Sequence, residues 1–347
     1  MNDALLQRLT EAHGVPGQED AIRAIVREEL KDLCTFETDY LGNLICLKKG
    51  KGAKKLMLAA HMDEIGFIVK HVDDKGFLRL NPLGGWDPRQ MAAQRVFVHT
   101  ETGPINGLLM MQAKPKHLLT PDQAGKAASM DEFFVDIGMS GETAKATVKL
   151  GDMVTMNRTY QTMGPLCTCK AMDNRVAVYV MIMAMKAAAN HDVDVYGVAT
   201  VQEEIGCRGA AASGWSVQPD VVVAIDVTLA LDVPGAAEQD RITTLGEGTA
   251  IKIMDSSLIC HPKVVAHFRA LAEKHDIKHQ MEILPAGGTD ASGVQRLHGG
   301  VPAFTLSVPC RYVHTVNETI HRDDLDASVA LLTKYIEDCH NGNYRYE

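Results

Sequence analysis

The sequence is that of an α/β protein: a mixed central sheet flanked by helices, with a small β-rich domain inserted into it. Three observations carry this expectation. Short wholly apolar runs, Leu56–Ala60 and Val221–Ile225, have the pattern of strands buried on both faces. They alternate with stretches of helical periodicity, which favours a largely parallel or mixed sheet. Between Gly66 and Thr162 the helical pattern fades, and β-like runs recur at intervals of about ten residues or more, separated by Gly, Pro and Asp. The α/β domain is therefore expected at 1–66 and 163–347, and the β-rich insert at 67–162.

The elements follow in order. The first thirty residues read as helix, with Ala21, Ile22, Ile25, Val26 and Leu30 on one face. Thr35–Tyr40 and Asn43–Lys48 read as a hairpin around Leu41-Gly42, followed by a lysine-rich solvated turn, Lys49–Lys55. In the insert the expected strands are Phe67–Val72, Phe77–Leu80, Val96–Thr100, Ile105–Leu109, Phe133–Ile137 and Met153–Met156, with a loop at Gln112–Ser129. Beyond Gly164 the expected helices are Asn174–Ala189, Cys207–Ser213, Pro262–His275 and Leu325–Cys339, the last capped by Asp323 or Asp324. The expected strands are Val193–Val201, Asp220–Ile225, His279–Leu284 and Ala303–Val308.

Composition excludes several classes. The 347 residues are 46% hydrophobic and 23% charged, close to the globular average, so a large core is available. A formal charge of −9 gives no net attraction to nucleic acid or an anionic membrane. Met1–Gly14 lacks the pattern of a signal peptide. The longest apolar run, Val176–Met185, is about half the ~20 residues a membrane span needs. Eight cysteines in a chain of this length do not make a disulfide scaffold, and Cys167 and Cys169 stand too close for a zinc knuckle. Reduced cysteines and a cytoplasmic location are expected. Aromatics at 5% argue against a sugar-binding cleft.

The chemistry gathers at strand ends. His61-Met62-Asp63-Glu64 follows one buried strand, Gln202-Glu203-Glu204 another and Asp226 a third. His314 comes shortly after a fourth, and Asp173-Asn174-Arg175 opens the long helix. Ligands of open α/β sheets bind outside the carboxyl ends of the strands. Each motif alone has an ordinary reading, as a capping pair, a solvated charge pair or a turn residue; their convergence on one rim does not. His nitrogen and carboxylate oxygen suit zinc, cobalt or manganese. His61, Asp173, Glu204, Asp226 and His314 make five ligands, and if Asp173 bridges, each of two ions receives three groups. Asp63 is placed to hold the His61 imidazole in one tautomer. Glu203 and Glu204 diverge on extended backbone, leaving one free as a general base.

The motifs Ala60-His61-Met62-Asp63-Glu64-Ile65-Gly66, Ala171-Met172-Asp173-Asn174-Arg175, Gln202-Glu203-Glu204-Ile205-Gly206 with Arg208-Gly209, Ile225-Asp226-Val227-Thr228, Gly287-Gly288-Thr289-Asp290 and Arg311-Tyr312-Val313-His314-Thr315 occur in that order. This ordered set resembles the M42 family of metallo-aminopeptidases, the group of tetrahedral (TET) and glutamyl aminopeptidases. The resemblance spans nearly the whole chain, more loosely over Gly66–Thr162. Asn174 stands where many relatives have a second Asp.

The resemblance implies a zinc-peptidase-like catalytic domain with two divalent ions (Zn, Co or Mn) and peptide substrates trimmed from the N-terminus. It implies that Asp173 bridges, that His61 and Asp226 complete one site, and that Glu204 and His314 complete the other. Glu203 would be the general base and Asp63 the acid behind His61. The insert would be a dimerisation domain, and dimers would build a twelve-subunit shell. Asp290 is either a wall of the pocket for the first side chain or the N-cap of a helix over Ser292–Leu297. Arg311 meets either substrate or a structural acid. Rival readings are a deacylase or dipeptidase of a related zinc-hydrolase family, a glycosidase and a non-catalytic scaffold. Adjacent Glu203 and Glu204 do not easily flank a sugar bond at the ~5 Å or more that paired carboxylates need, and no ligand is missing as a scaffold would allow.

Overall fold

The computed structural model describes residues 1–112, 116–118, 120 and 128–346. The chain forms two compact units, one of Met1–Glu64, Thr159–Val313 and Asn317–Glu347, the other of Ile65–Arg158 and His314–Val316. The expected borders were 66/67 and 162/163, with His314 in the α/β domain.

The first unit is built on an 11-stranded mixed sheet. Its centre is four parallel strands in the order β12 (Asp194–Thr200), β3 (Lys55–His61), β13 (Val221–Leu229) and β16 (Ala303–Arg311). One edge continues through β2 (Leu44–Lys48) to β1 (Thr35–Thr38), the expected hairpin, whose turn is held by Asp39 accepting the N–H groups of Leu41, Gly42 and Asn43. The other edge runs through β17 (Glu318–His321) and β11 (Leu166–Cys169) to β10 (Gln161–Met163). A side branch, β14 (Thr249–Met254) and β15 (His279–Ile283), joins β16. Six consecutive residues of β3, Leu56–His61, are buried, as its apolar run requires of a strand covered on both faces. The helix Met172–Ala187 is apolar around most of its circumference and is buried accordingly.

The second unit is a closed barrel in the order β4 (Gly66–Val72), β5 (Leu78–Leu83), β8 (Phe133–Asp136), β7 (Gly103–Met111), β6 (Gln94–Thr100) and β9 (Met153–Met156). Closure leaves no open edge. Its own core includes Phe67, Val69, Val96, Val98, Leu109, Val135 and Val154. All six β-like runs of the insert are strands of this barrel; the loop expected at Gln112–Ser129 lies mostly outside the described residues.

Several elements depart from expectation. The opening helix is two, Asp3–Glu11 and Asp20–Leu30. Pro16 and Gly17, the latter at φ 86°, interrupt it. The helix at Cys207 runs over Arg208–Val217, and β13 extends past Ile225, so Asp226 lies inside its strand rather than after it. The closing helix is capped by the His321 ring, which accepts the N–H of Asp323, not by an aspartate. All eight cysteines are free thiols. Among the described residues no helix is long and apolar enough to cross a membrane.

Candidate metal centre

His61 is the last residue of β3, almost wholly buried, and stands at the middle of an acid cluster within the first unit. Its Nε2 is 3.2 Å from Asp173 Oδ1, and 3.8 Å from both Glu203 Oε2 and Asp226 Oδ1. One ligand atom each from His61, Asp173 and Glu204 lie within 4.8 Å of one another. Parallel strands put these groups together: β12 and β13 flank β3, so their carboxyl ends deliver side chains to the same rim. Asp173 comes from the start of the long helix, where the Asp173–Asn174 peptide is cis. Two groups fix that segment: Glu318 accepts the Asp173 N–H at 2.8 Å, and Asn174 Nδ2 donates to the Ile225 carbonyl at 2.9 Å.

The turn after β12 carries Glu203 and Glu204. Gln202 takes a left-handed φ of 57°. Consequently the two adjacent acids do not simply diverge; both keep a carboxylate near His61. Asp63 stands beside His61, but its backbone carbonyl at 3.1 Å is a closer partner of Nδ1 than its carboxylate at 3.5 Å.

Electrostatics follow from crowding. Burial alone would lower the His61 imidazole, yet contact with Asp173 and Asp63 carries it well above the usual range. Burial raises Glu203 and Asp226 far above ordinary carboxylates; His61 opposes this, and the neighbouring acids reinforce it. Burial also lifts Asp290 to about 6. A rim with one imidazole and several buried acids is short of positive charge. Bound cations would supply it, so the donor set fits divalent ions of the zinc, cobalt or manganese type.

The remaining expected residues fall as follows. Asp290 is buried and opens the helix Asp290–Gln295, with Thr289 rather than Asp290 at the N-cap; Asp290 Oδ2 accepts the Thr200 hydroxyl. Arg311 forms a two-pronged pair with Asp232, at 2.6 Å from Nε and 2.5 Å from Nη2. His314 belongs to the second unit, where its Nδ1 is 2.8 Å from the Gly85 carbonyl oxygen. Three supporting residues escaped the sequence reading. Glu318 holds Asp173. Glu19 accepts the Gln202 N–H at 3.2 Å. The Cys207 thiol donates to Glu203 Oε1 at 3.1 Å. Only Cys207 had a signal, its place beside the Gln202-Glu203-Glu204 motif.

The model of a family described as M42 glutamyl aminopeptidase matches residues 42–331. The lysyl aminopeptidase of Pyrococcus furiosus is 34% identical, over 96% of this chain and 96% of its own. Aminopeptidase APDkam598 from Desulfurococcus kamchatkensis superposes with a TM-score of 0.92 at 40% identity, over 96% of this chain and 94% of that one. The Pyrococcus horikoshii TET1 peptidase, which can assemble into a tetrahedron or a large octahedral shell, superposes with a TM-score of 0.87 at 31% identity, over 96% and 98% of the two chains.

Proposed function

The chain belongs to the M42 glutamyl aminopeptidase family and is an aminopeptidase; we propose that it trims peptides from the N-terminus with two divalent ions per chain and Glu203 as general base. The observation that carries this reading is the gathering of His61, Asp173 and Glu204 donor atoms within 4.8 Å, with Glu203 alongside. The ions would be held by His61, Asp173, Glu204 and Asp226, with His314 assigned to the same set by the family pattern alone.

The chemistry that divalent ions would supply there is a more acidic water and a polarised scissile carbonyl. Glu203 takes the proton of the attacking water and returns it to the leaving amine. Asp63 is a positioning residue: it contacts His61 and anchors the backbone that carries Glu203 and Glu204. The peptide's free amino group would be held near the ions, which restricts cleavage to the chain end. Asp290 forms one wall of the pocket for the first side chain. Arg311 acts through Asp232, holding the end of β16 in place.

We further propose that the barrel unit is a dimerisation domain and that dimers build a twelve-subunit tetrahedral shell. The support is the family membership and the shells formed by the similar P. horikoshii peptidase. Native mass measurement tests it directly: a dodecamer is expected, and a stable monomer would end the proposal.

The activity reading is tested by stripping the protein with chelator and adding back Zn²⁺, Co²⁺ or Mn²⁺ while counting bound ions and assaying aminoacyl-chromophore substrates. Two ions per chain with restored hydrolysis are expected. Full activity in metal-free protein would overturn the reading.

A further inference from the structure

Cys207, its thiol beside Glu203, takes no part in the proposed aminopeptidase mechanism. It precedes the helix Arg208–Val217 at a left-handed φ of 50°, and its side chain reaches back to Glu203 Oε1. One ligand atom each from Glu203, Cys207 and Asp290 lie within 4.8 Å of one another. Glu203 and Cys207 share the turn between β12 and the helix Arg208–Val217, and Asp290 arrives separately, opening the helix Asp290–Gln295. Asp290 is 2% exposed, and while its Oδ2 is engaged by Thr200, its Oδ1 is buried with no hydrogen-bond partner among the described residues. A buried carboxylate oxygen with nothing to accept from is costly in a protein interior. A cation beside it would remove that cost.

The donor set is also selective. Sulfur favours thiophilic ions such as Zn²⁺ and Cd²⁺, whereas Mn²⁺ and Mg²⁺ prefer all-oxygen sites. We propose that Glu203, Cys207 and Asp290 form a third, inhibitory site for a thiophilic divalent cation, distinct from the donors His61, Asp173 and Glu204. On binding, the Cys207 thiol loses its proton to solvent, and the thiolate and the two carboxylates take the ion. No electrons move. The Glu203 carboxylate is then occupied and no longer accepts a proton, so turnover stops. The inhibitory half rests on Glu203 being the general base; the binding half does not.

The test uses the full-length protein loaded with Mn²⁺ and titrated with Cd²⁺, alongside Cys207→Ser and Cys207→Ala loaded in the same way. Ultraviolet absorbance, Mn²⁺ release and hydrolysis are followed in the same samples, each variant being referred to its own uninhibited rate. The wild type is expected to take up one further ion with a thiolate-to-cadmium charge-transfer band, without releasing Mn²⁺, and to lose activity in step. Both variants should lack the band and need at least about tenfold more Cd²⁺ for the same loss, the scale on which lost partners weaken metal sites. No band in the wild type, or a band that survives in both variants, overturns the proposal. So does inhibition that tracks Mn²⁺ release equally in all three proteins. A Cys207-dependent band with unimpaired hydrolysis overturns the inhibitory half, and Glu203→Gln, which loses hydrolysis only if Glu203 is the general base, judges that reading separately. If the protein hydrolyses nothing, the band alone decides the binding half.

Discussion

Asp63 Oδ2 accepts the backbone N–H of Glu204 at 3.0 Å, while Oδ1 accepts that of Glu203 at 3.1 Å. The residue two beyond β3 thereby fixes the turn beyond the neighbouring strand β12. The same residue offers its backbone carbonyl to His61 Nδ1. One residue thus couples the imidazole, through its carbonyl, and both glutamates, through its carboxylate. Asp63→Asn retains the shape but has one acceptor oxygen where two are used. Metal affinity or kcat/KM should fall roughly 10- to 100-fold, as for other partners that orient metal ligands. Competition with a chromogenic chelator measures the affinity; an unchanged value would reduce Asp63 to a packing role.

Glu19 predicts a stability change with pH. Burial pushes its carboxyl from 4.5 up to about 7, against the hydrogen bonds it accepts from Gly17 and Gln202. The folded state therefore holds this proton more tightly than the unfolded state. The sign follows: between about pH 4.5 and pH 7 the native protein binds more protons, so this group lowers stability as pH rises through that window. Glu19→Gln keeps an acceptor oxygen and removes the titration. Its stability relative to wild type should rise across the window by up to about 3 kcal/mol. Urea melts at the two ends of the window give the difference, and parallel curves would refute the assignment.

The Arg311–Asp232 fork predicts a coupling. Two charge-assisted hydrogen bonds in a partly buried site should be worth roughly 1.5–3 kcal/mol. A double-mutant cycle with Arg311→Ala and Asp232→Ala measures it by thermal or denaturant unfolding. Additive single effects, together with a KM rise confined to Arg311→Ala, would instead place the guanidinium on the substrate.

Much of this architecture is legible in the sequence because burial imposes patterns. The run Leu56–Ala60 and the periodic apolars of Met172–Ala187 announced the central strand and helix, and regular turn residues announced all six barrel strands. Elements whose pattern is set by tertiary contacts were silent. Strands β10, β11, β14 and β17 are short or sit toward the sheet's edges or branch, and their apolar residues do not alternate cleanly. At the site, chain adjacency to strand ends revealed His61, Glu203 and Glu204. Glu318 and Glu19 act from far away in sequence, and nothing local marks them. The sequence assigns Glu64 no role. It stands in the His61 motif, yet its carboxylate is buried against Lys170 Nζ at 2.6 Å and serves the core.

The central claim is that Glu203 moves the proton while other residues hold the ions, and Glu203→Gln tests it most directly. The amide is isosteric but cannot accept and return a proton. With bound ions counted and aminoacyl-chromophore hydrolysis followed, the variant should retain two ions per chain while kcat falls about 10²- to 10⁴-fold, the usual worth of a general base. A wild-type kcat with both ions bound would contradict the account.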